Sequence, residues 1–269
     1  MIDKISDSEA NLMLKYYERQ EKIIKEKLKE ALRKGNNQVA LKKLYNQIQS
    51  ANSQLKKYFK NYSQLKLNLI YDSSAERVEK EIRTFNAKYD ADSSFNRLDE
   101  RTIDILAKNT YKSLGTISTV IGRQSQDFLR EIGLRQTQGI VFGTDSWQKV
   151  ARDMTKELEQ AGYFHIKYKN GTKMPTKAYC KMVARTTSKE AFRAGTKDRI
   201  KEMGFDLVIV LNKSSFPDSP CIPFQGKTLS MSGKTKGYIK ESDAVKAGLF
   251  HPQCIHTLGF SPANRKFIK

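Results

Sequence analysis

Two long amphipathic stretches at the start of the chain restrict its fold most. In "SEANLMLKYYERQEKIIKEKLKEALRK", residues 8–34, Leu12, Tyr16, Ile23, Ile24, Leu28 and Ala31 fall on one side of a helical wheel, and charges fill the other. "GNN" at 35–37 stops the pattern, which resumes in "QVALKKLYNQIQSANSQLKKYFKNYSQL", 38–65. Two such helices joined by so short a break predict an antiparallel helical hairpin.

Helical texture continues through 74–90 and 97–115, with "DADSS" as a break and "SSFNRLDERT" as a turn in which Ser94 or Asn96 caps a new helix. Residues 116–138 are amphipathic and predict a helix interrupted at Gly122 and Gly133. In "GTDSWQKVARDMTKELEQAGY", Asp145 or Ser146 caps a helix whose apolar stripe is Trp147, Val150, Met154 and Leu158, and Gly162 ends it. Trp147 is expected in the core.

The texture changes near residue 163. "YFHIKYKNGTKMP" alternates apolar and polar residues around an Asn-Gly turn, which predicts a β-hairpin. "TKAYCKMVARTTSKEAFRAGTKDRIKEMG" predicts a helix closed by Gly204, and "FDLVIVLN", 205–212, a buried strand. A loop-rich region follows, with "ESDAVKAG" helical within it. The fold class is α+β. A mainly helical region with long helices spans 1–145, and a small α+β module spans 146–269.

Composition limits the function classes. Hydrophobic residues make up 38% and charged residues 29% of the 269, a balance that suits extended helices on a modest core. The net charge of +20 favours polyanionic partners, nucleic acid first. Residues 36–70 hold six lysines and no acidic residue. Lys42, Lys43, Lys56, Lys57 and Lys60 are the candidate phosphate contacts, although the six lysines do not all share one helical face. No apolar run approaches the ~18–20 residues that a membrane span needs. No apolar core follows the first residues, so no secretory leader is expected. Three cysteines fit a reducing cytoplasm better than a disulfide framework.

The chemistry concentrates in "HPQCIHTL", 251–258, and in "FPDSPCIPFQGK", 216–227. Cys221, His251, Cys254 and His256 make a Cys₂His₂ set that zinc would accept. Against zinc, Cys221 has no second cysteine within four residues, and Phe224 stands where one would fall. A nuclease centred on His251, Cys254 and His256 lacks a nearby carboxylate cluster to hold its metal. A nucleophilic Cys254 lacks an orienting partner for its histidine. The favoured reading is that the two loops pack together as a structural motif without a cofactor, with buried cysteine acting as a small hydrophobe.

The order of these features resembles the C-terminal module of tailed-phage minor head proteins, the MuF-type head morphogenesis proteins and related phage minor capsid proteins. The residues that carry it are Arg185 and Thr186, Ala194 and Gly195, Gly204, Asp218 and Cys221, Gly226 and Lys227, and His251, Pro252, Cys254 and His256. It covers about residues 180–260. Many relatives keep a Cys-x-x-Cys pair in the first loop, which Phe224 breaks here.

The resemblance implies a non-enzymatic protein of the virion. Such proteins enter the procapsid with portal and scaffold, stay in the head in few copies, and can leave with the DNA. The implied partners are the portal protein, the major capsid or scaffold protein, and packaged double-stranded DNA held without sequence reading. The implied location is the capsid interior or portal vertex, with the host cytoplasm during assembly. The chain ends thirteen residues after His256, so the toxin enzyme that some relatives append is not expected. Arg185 is expected to be structural, forking to loop carbonyls or to Asp218. The rival readings are a cytoplasmic nucleic-acid-binding protein and a small nuclease or toxin-like effector at His251, Cys254 and His256.

Overall fold

The computed structural model describes residues 2–35, 37–85, 100–142, 147–160, 162–214, 216–251 and 254–267. Helix α1 (Ile2–Lys34) closes at Gly35, whose φ of 56° suits a residue without a Cβ and whose amide donates to the Ala31 carbonyl at 3.1 Å. Asn37 then caps α2 (Gln38–Asn61), its side-chain oxygen accepting from the Ala40 amide at 3.0 Å. The hairpin forms as expected: Tyr16 of α1 stacks on Tyr58 of α2 with ring centroids 3.9 Å apart.

The buried stripe of α1 is rotated from the expected one. Met13, Tyr17, Gln20, Ile24, Leu28 and Ala31 are buried, whereas Leu12 and Ile23 are 47% and 38% exposed. The sequence offers apolar doublets at 12/13, 16/17 and 23/24, and only the set 13, 17, 20, 24, 28, 31 keeps an unbroken three-four spacing.

The second helix does not stop at 65. A π turn, Tyr62–Lys66, leads straight into α3 (Leu67–Phe85), and neither Gly nor Pro occurs between 38 and 85 to break it. Helix α4 (Glu100–Phe142) likewise runs through Gly122 and Gly133. An isolated helix glycine costs only about 1 kcal/mol, and Gly122 has a use: a Cβ there would stand 3.1 Å from the Asn52 amide nitrogen, which donates to the Ser118 carbonyl at 2.8 Å. Helix α5 (Trp147–Glu159) buries Met154 and Leu158. The expected caps Ser94, Asn96, Asp145 and Ser146 and the side chain of Trp147 lie outside the described residues, as does Pro252.

Strands β1 (His165–Lys167) and β2 (Lys173–Pro175) form the expected antiparallel hairpin, with Gly171 at φ 85° in its turn. Helix α6 (Thr176–Glu202) ends before Gly204 at φ 81°. Beyond it lie β3 (Leu207–Leu211), β4 (Thr228–Ser230), β5 (Ile239–Lys240), α7 (Glu241–Lys246) and β6 (Thr257–Phe260). Their sheet order is β5-β4-β3-β6, antiparallel around β3 and parallel between β4 and β5. Of these four strands only β3 is legible from sequence, because the others lack the alternation around an Asn-Gly turn that reveals the β1–β2 hairpin.

The chain packs as two compact units. One comprises residues 11–62 and 110–183, with Tyr17, Leu28, Ile48, Phe59, Ile117 and Leu158 in its core. The other comprises 1–10, 63–109 and 184–269. Its core joins Val78 and Ile82 of α3 to Ile200, Val208, Leu229, Leu258 and Phe260, with Cys221 and Cys254 among them. Here α3 lies close on α6: the Tyr71 hydroxyl donates to Asp198 at 2.6 Å, and a Cβ on Gly195 would fall on the Tyr71 carbonyl. Helix α3 also covers the outer edge of β6. The Phe260 amide donates to Glu81 at 3.0 Å, Arg77 donates to the Leu258 carbonyl, and Arg77 and Glu81 are themselves paired at 2.9 Å. Among the described residues, no helix is long and apolar enough to cross a membrane.

Candidate functional site

The two Cys/His loops meet, as the sequence predicts. Cys221 precedes the short 3-10 turn Ile222–Phe224, and the Phe224 amide returns to the Cys221 carbonyl at 3.1 Å. The second loop enters from α7. The Cys254 amide donates to the His251 carbonyl at 2.9 Å, and His256 then starts the run into β6.

The Cys221 and Cys254 sulfurs and a ring nitrogen of His256 all lie within 4.8 Å of one another. His256 Nδ1 sits 3.3 Å from Cys254 Sγ, and His251 Nε2 sits 3.3 Å from Cys221 Sγ. Ser219 Oγ lies 3.0 Å from both Cys221 Sγ and His251 Nε2. Cys221, Cys254 and His256 are only 1%, 4% and 0% exposed. Burial pushes the Cys254 thiol up, its neighbour Cys221 adding to the shift. Burial lowers His256, helped by the nearby positive charge of His251 and Lys189. The third cysteine, Cys180, belongs to the other unit, where burial alone pushes its thiol up to about 12 and leaves it an inert core residue.

A second arginine of α6, which the sequence reading did not single out, stands at this site. Asp218 is exposed in the turn before Cys221. Arg193, two turns beyond Arg185 along α6, is buried. Its guanidinium donates to the His256 carbonyl at 3.4 Å and lies 4.2 Å over the Phe250 ring. Its presence in "AFRAG" beside the expected Ala194-Gly195 pair was the available signal. Arg77 and Glu81 carried no signal, because their role depends on an edge strand that sequence does not reveal.

The candidate phosphate contacts divide. Lys42, Lys43, Lys56, Lys57 and Lys60 are all exposed on α2. At about 100° per residue they span an arc of roughly 140° opposite the buried stripe Leu41, Leu44, Ile48, Leu55 and Phe59. Lys66 stands apart, paired with Glu9 at 3.1 Å. Beside α2 runs an open groove of about 880 Å³ that contains Lys56, Lys112, Arg123, Tyr45 and Tyr111, with amides and hydroxyls between them and no carboxylate in its lining.

The buried Cys/His cluster holds two loops of the module together, and the long helices keep one face strongly cationic. The sequence profile of the phage minor capsid protein 2 family matches residues 3–261, and the chain belongs to that family. It is a phage capsid component and a virion protein, and the family is one of structural proteins. No curated protein and no solved structure matches the chain.

Proposed function

We propose that this capsid protein lies on the inner side of the head, holds packaged double-stranded DNA without reading its sequence, and acts in head morphogenesis from a position at the portal vertex. The carrying observation is the lysine face of α2 beside an acid-free groove. Five cations opposite the buried stripe reach solvent together, and no ion pair among the described residues ties them to a carboxylate. Such a face gains affinity from counterion release at any DNA sequence. The tyrosines and amides of the groove add stacking and hydrogen-bonding groups without base discrimination. The portal, coat or scaffold proteins are the partners in assembly, and ejection with the DNA fits an attachment made mainly through phosphates.

The test is reversal of Lys42, Lys43, Lys56 and Lys57 to Glu. Each lost phosphate contact should lower the magnitude of the log-log salt slope by roughly 0.9, and binding should weaken alike on all sequences. A quadruple variant that binds DNA like the parent but fails to enter heads would overturn the DNA role and assign this face to the portal or coat. Mass spectrometry of purified virions tests the location directly.

A further inference from the structure

The buried Cys/His cluster is chemically unfinished as protein alone. Two thiols and two imidazoles have converged from loops 30 residues apart, and the contacts among them are thiol–imidazole hydrogen bonds, which are weak. His256 is fully buried, and its Nδ1 is the ring nitrogen turned to Cys254. What points to a metal is the convergence itself: the Cys221 and Cys254 sulfurs and a His256 ring nitrogen, three donors of metal-ligating type, face one another in a buried pocket.

The spacing identifies the group. Tetrahedral zinc, with Zn–S near 2.3 Å and Zn–N near 2.0–2.1 Å, sets its ligand atoms roughly 3.4–3.8 Å apart. The Cys254–His256 and Cys221–His251 pairs, each at 3.3 Å, already stand close to that separation. Both sulfurs and the His256 nitrogen lie within 4.8 Å of one another, and His251 Nε2, 3.3 Å from Cys221 Sγ, is the donor available for the fourth position. Two thiolates and two imidazoles suit zinc and are wrong for magnesium or calcium, which take oxygen. Ser219 Oγ, 3.0 Å from Cys221 Sγ, is placed to donate to a thiolate as an outer-shell partner.

We propose that Cys221, His251, Cys254 and His256 bind one zinc ion in a closed, four-protein-ligand structural site. The ion pins the loop after β3 to the segment entering β6. With every position filled by protein, it leaves none for water or substrate, and its contribution is folding energy.

The test uses the full chain, purified without chelator from a reducing cytoplasm. Elemental analysis should find stoichiometric zinc. After chelation, cobalt should produce tetrahedral absorption with thiolate charge-transfer bands, displaced by added zinc. The Cys221→Ser and His251→Gln variants should lose or blue-shift those bands. Ser219→Ala should weaken zinc binding about 10–100-fold while leaving the band shape unchanged. A folded parent chain with neither zinc nor cobalt absorption overturns the proposal. So does zinc retained in full by a Cys221→Ser, Cys254→Ser double variant, or a Cys221–Cys254 disulfide in the freshly isolated chain. Because the cobalt spectrum is read on the parent protein, the proposal stays testable even where a variant fails to fold.

Discussion

Arg193 lies with its guanidinium carbon 4.2 Å from the centre of the Phe250 ring while it donates to the His256 carbonyl at 3.4 Å. One side chain of α6 thus holds both ends of the second Cys/His loop. Phe250 takes a φ of 63°, costly for a residue with a Cβ, and the stacked guanidinium helps hold it there. Arg193→Lys keeps the charge but loses the planar stack and the fork. We expect it to cost about 1–2 kcal/mol in urea unfolding. An unchanged midpoint would mean that the loop is held without it.

The α1–α2 hairpin should show measurable coupling between Tyr16 and Tyr58. A double-mutant cycle to Leu at both positions should return roughly 0.5–1.5 kcal/mol for the stacked pair. A value near zero would mean that the pair only shares area.

Two helix glycines should respond oppositely to alanine. Gly195→Ala places a methyl on the Tyr71 carbonyl and should destabilise by about 1–3 kcal/mol or more. Gly115→Ala in α4 meets nothing within 4 Å and should stabilise by up to about 1 kcal/mol. Thermal melts of the two variants check both signs.

Asp206 accepts hydrogen bonds from the Ser230 hydroxyl at 2.5 Å, the Thr235 hydroxyl at 2.6 Å and the Ser232 amide at 2.7 Å. Burial pushes its carboxyl up, but these donors outweigh burial and hold it below the ordinary 3.8. A carboxyl lowered in the folded state adds stability that is complete above 3.8 and is lost as pH falls through the folded value. Asp206→Asn should therefore be less stable than the parent at neutral pH, and the gap should close below pH 3.8. A gap independent of pH would assign the effect to shape alone.

Long-range periodicity made most of the helical part legible in sequence: α1, α2, α5 and α6 lie where their stripes and stops put them. The errors there are of phase and of ending. Adjacent apolar residues such as Ile23 and Ile24 leave the buried face ambiguous until a partner selects one. Weak breakers such as Gly122 yield to packing. The meeting of Cys221 with His251, Cys254 and His256 was legible because chemistry-bearing residues were so concentrated in two loops. The contact of Arg193 with the His256 carbonyl was not, since the path of the second loop, and no local pattern on α6, creates it. The short strands β4, β5 and β6 were silent because pairing partners far away in the chain, rather than local pattern, create them.

The Arg77–Glu81 pair on α3 has a consequence for crowding. A strand at the border of a sheet exposes a row of amides and carbonyls that can recruit a strand from a neighbouring molecule. On β6, the Phe260 amide and the Leu258 carbonyl are already taken, by Glu81 and Arg77. That side of the sheet is sealed against strand addition from another copy or from a half-folded chain. As a capsid component the protein works beside other chains, and this clasp leaves fewer edge groups through which a neighbour could pair.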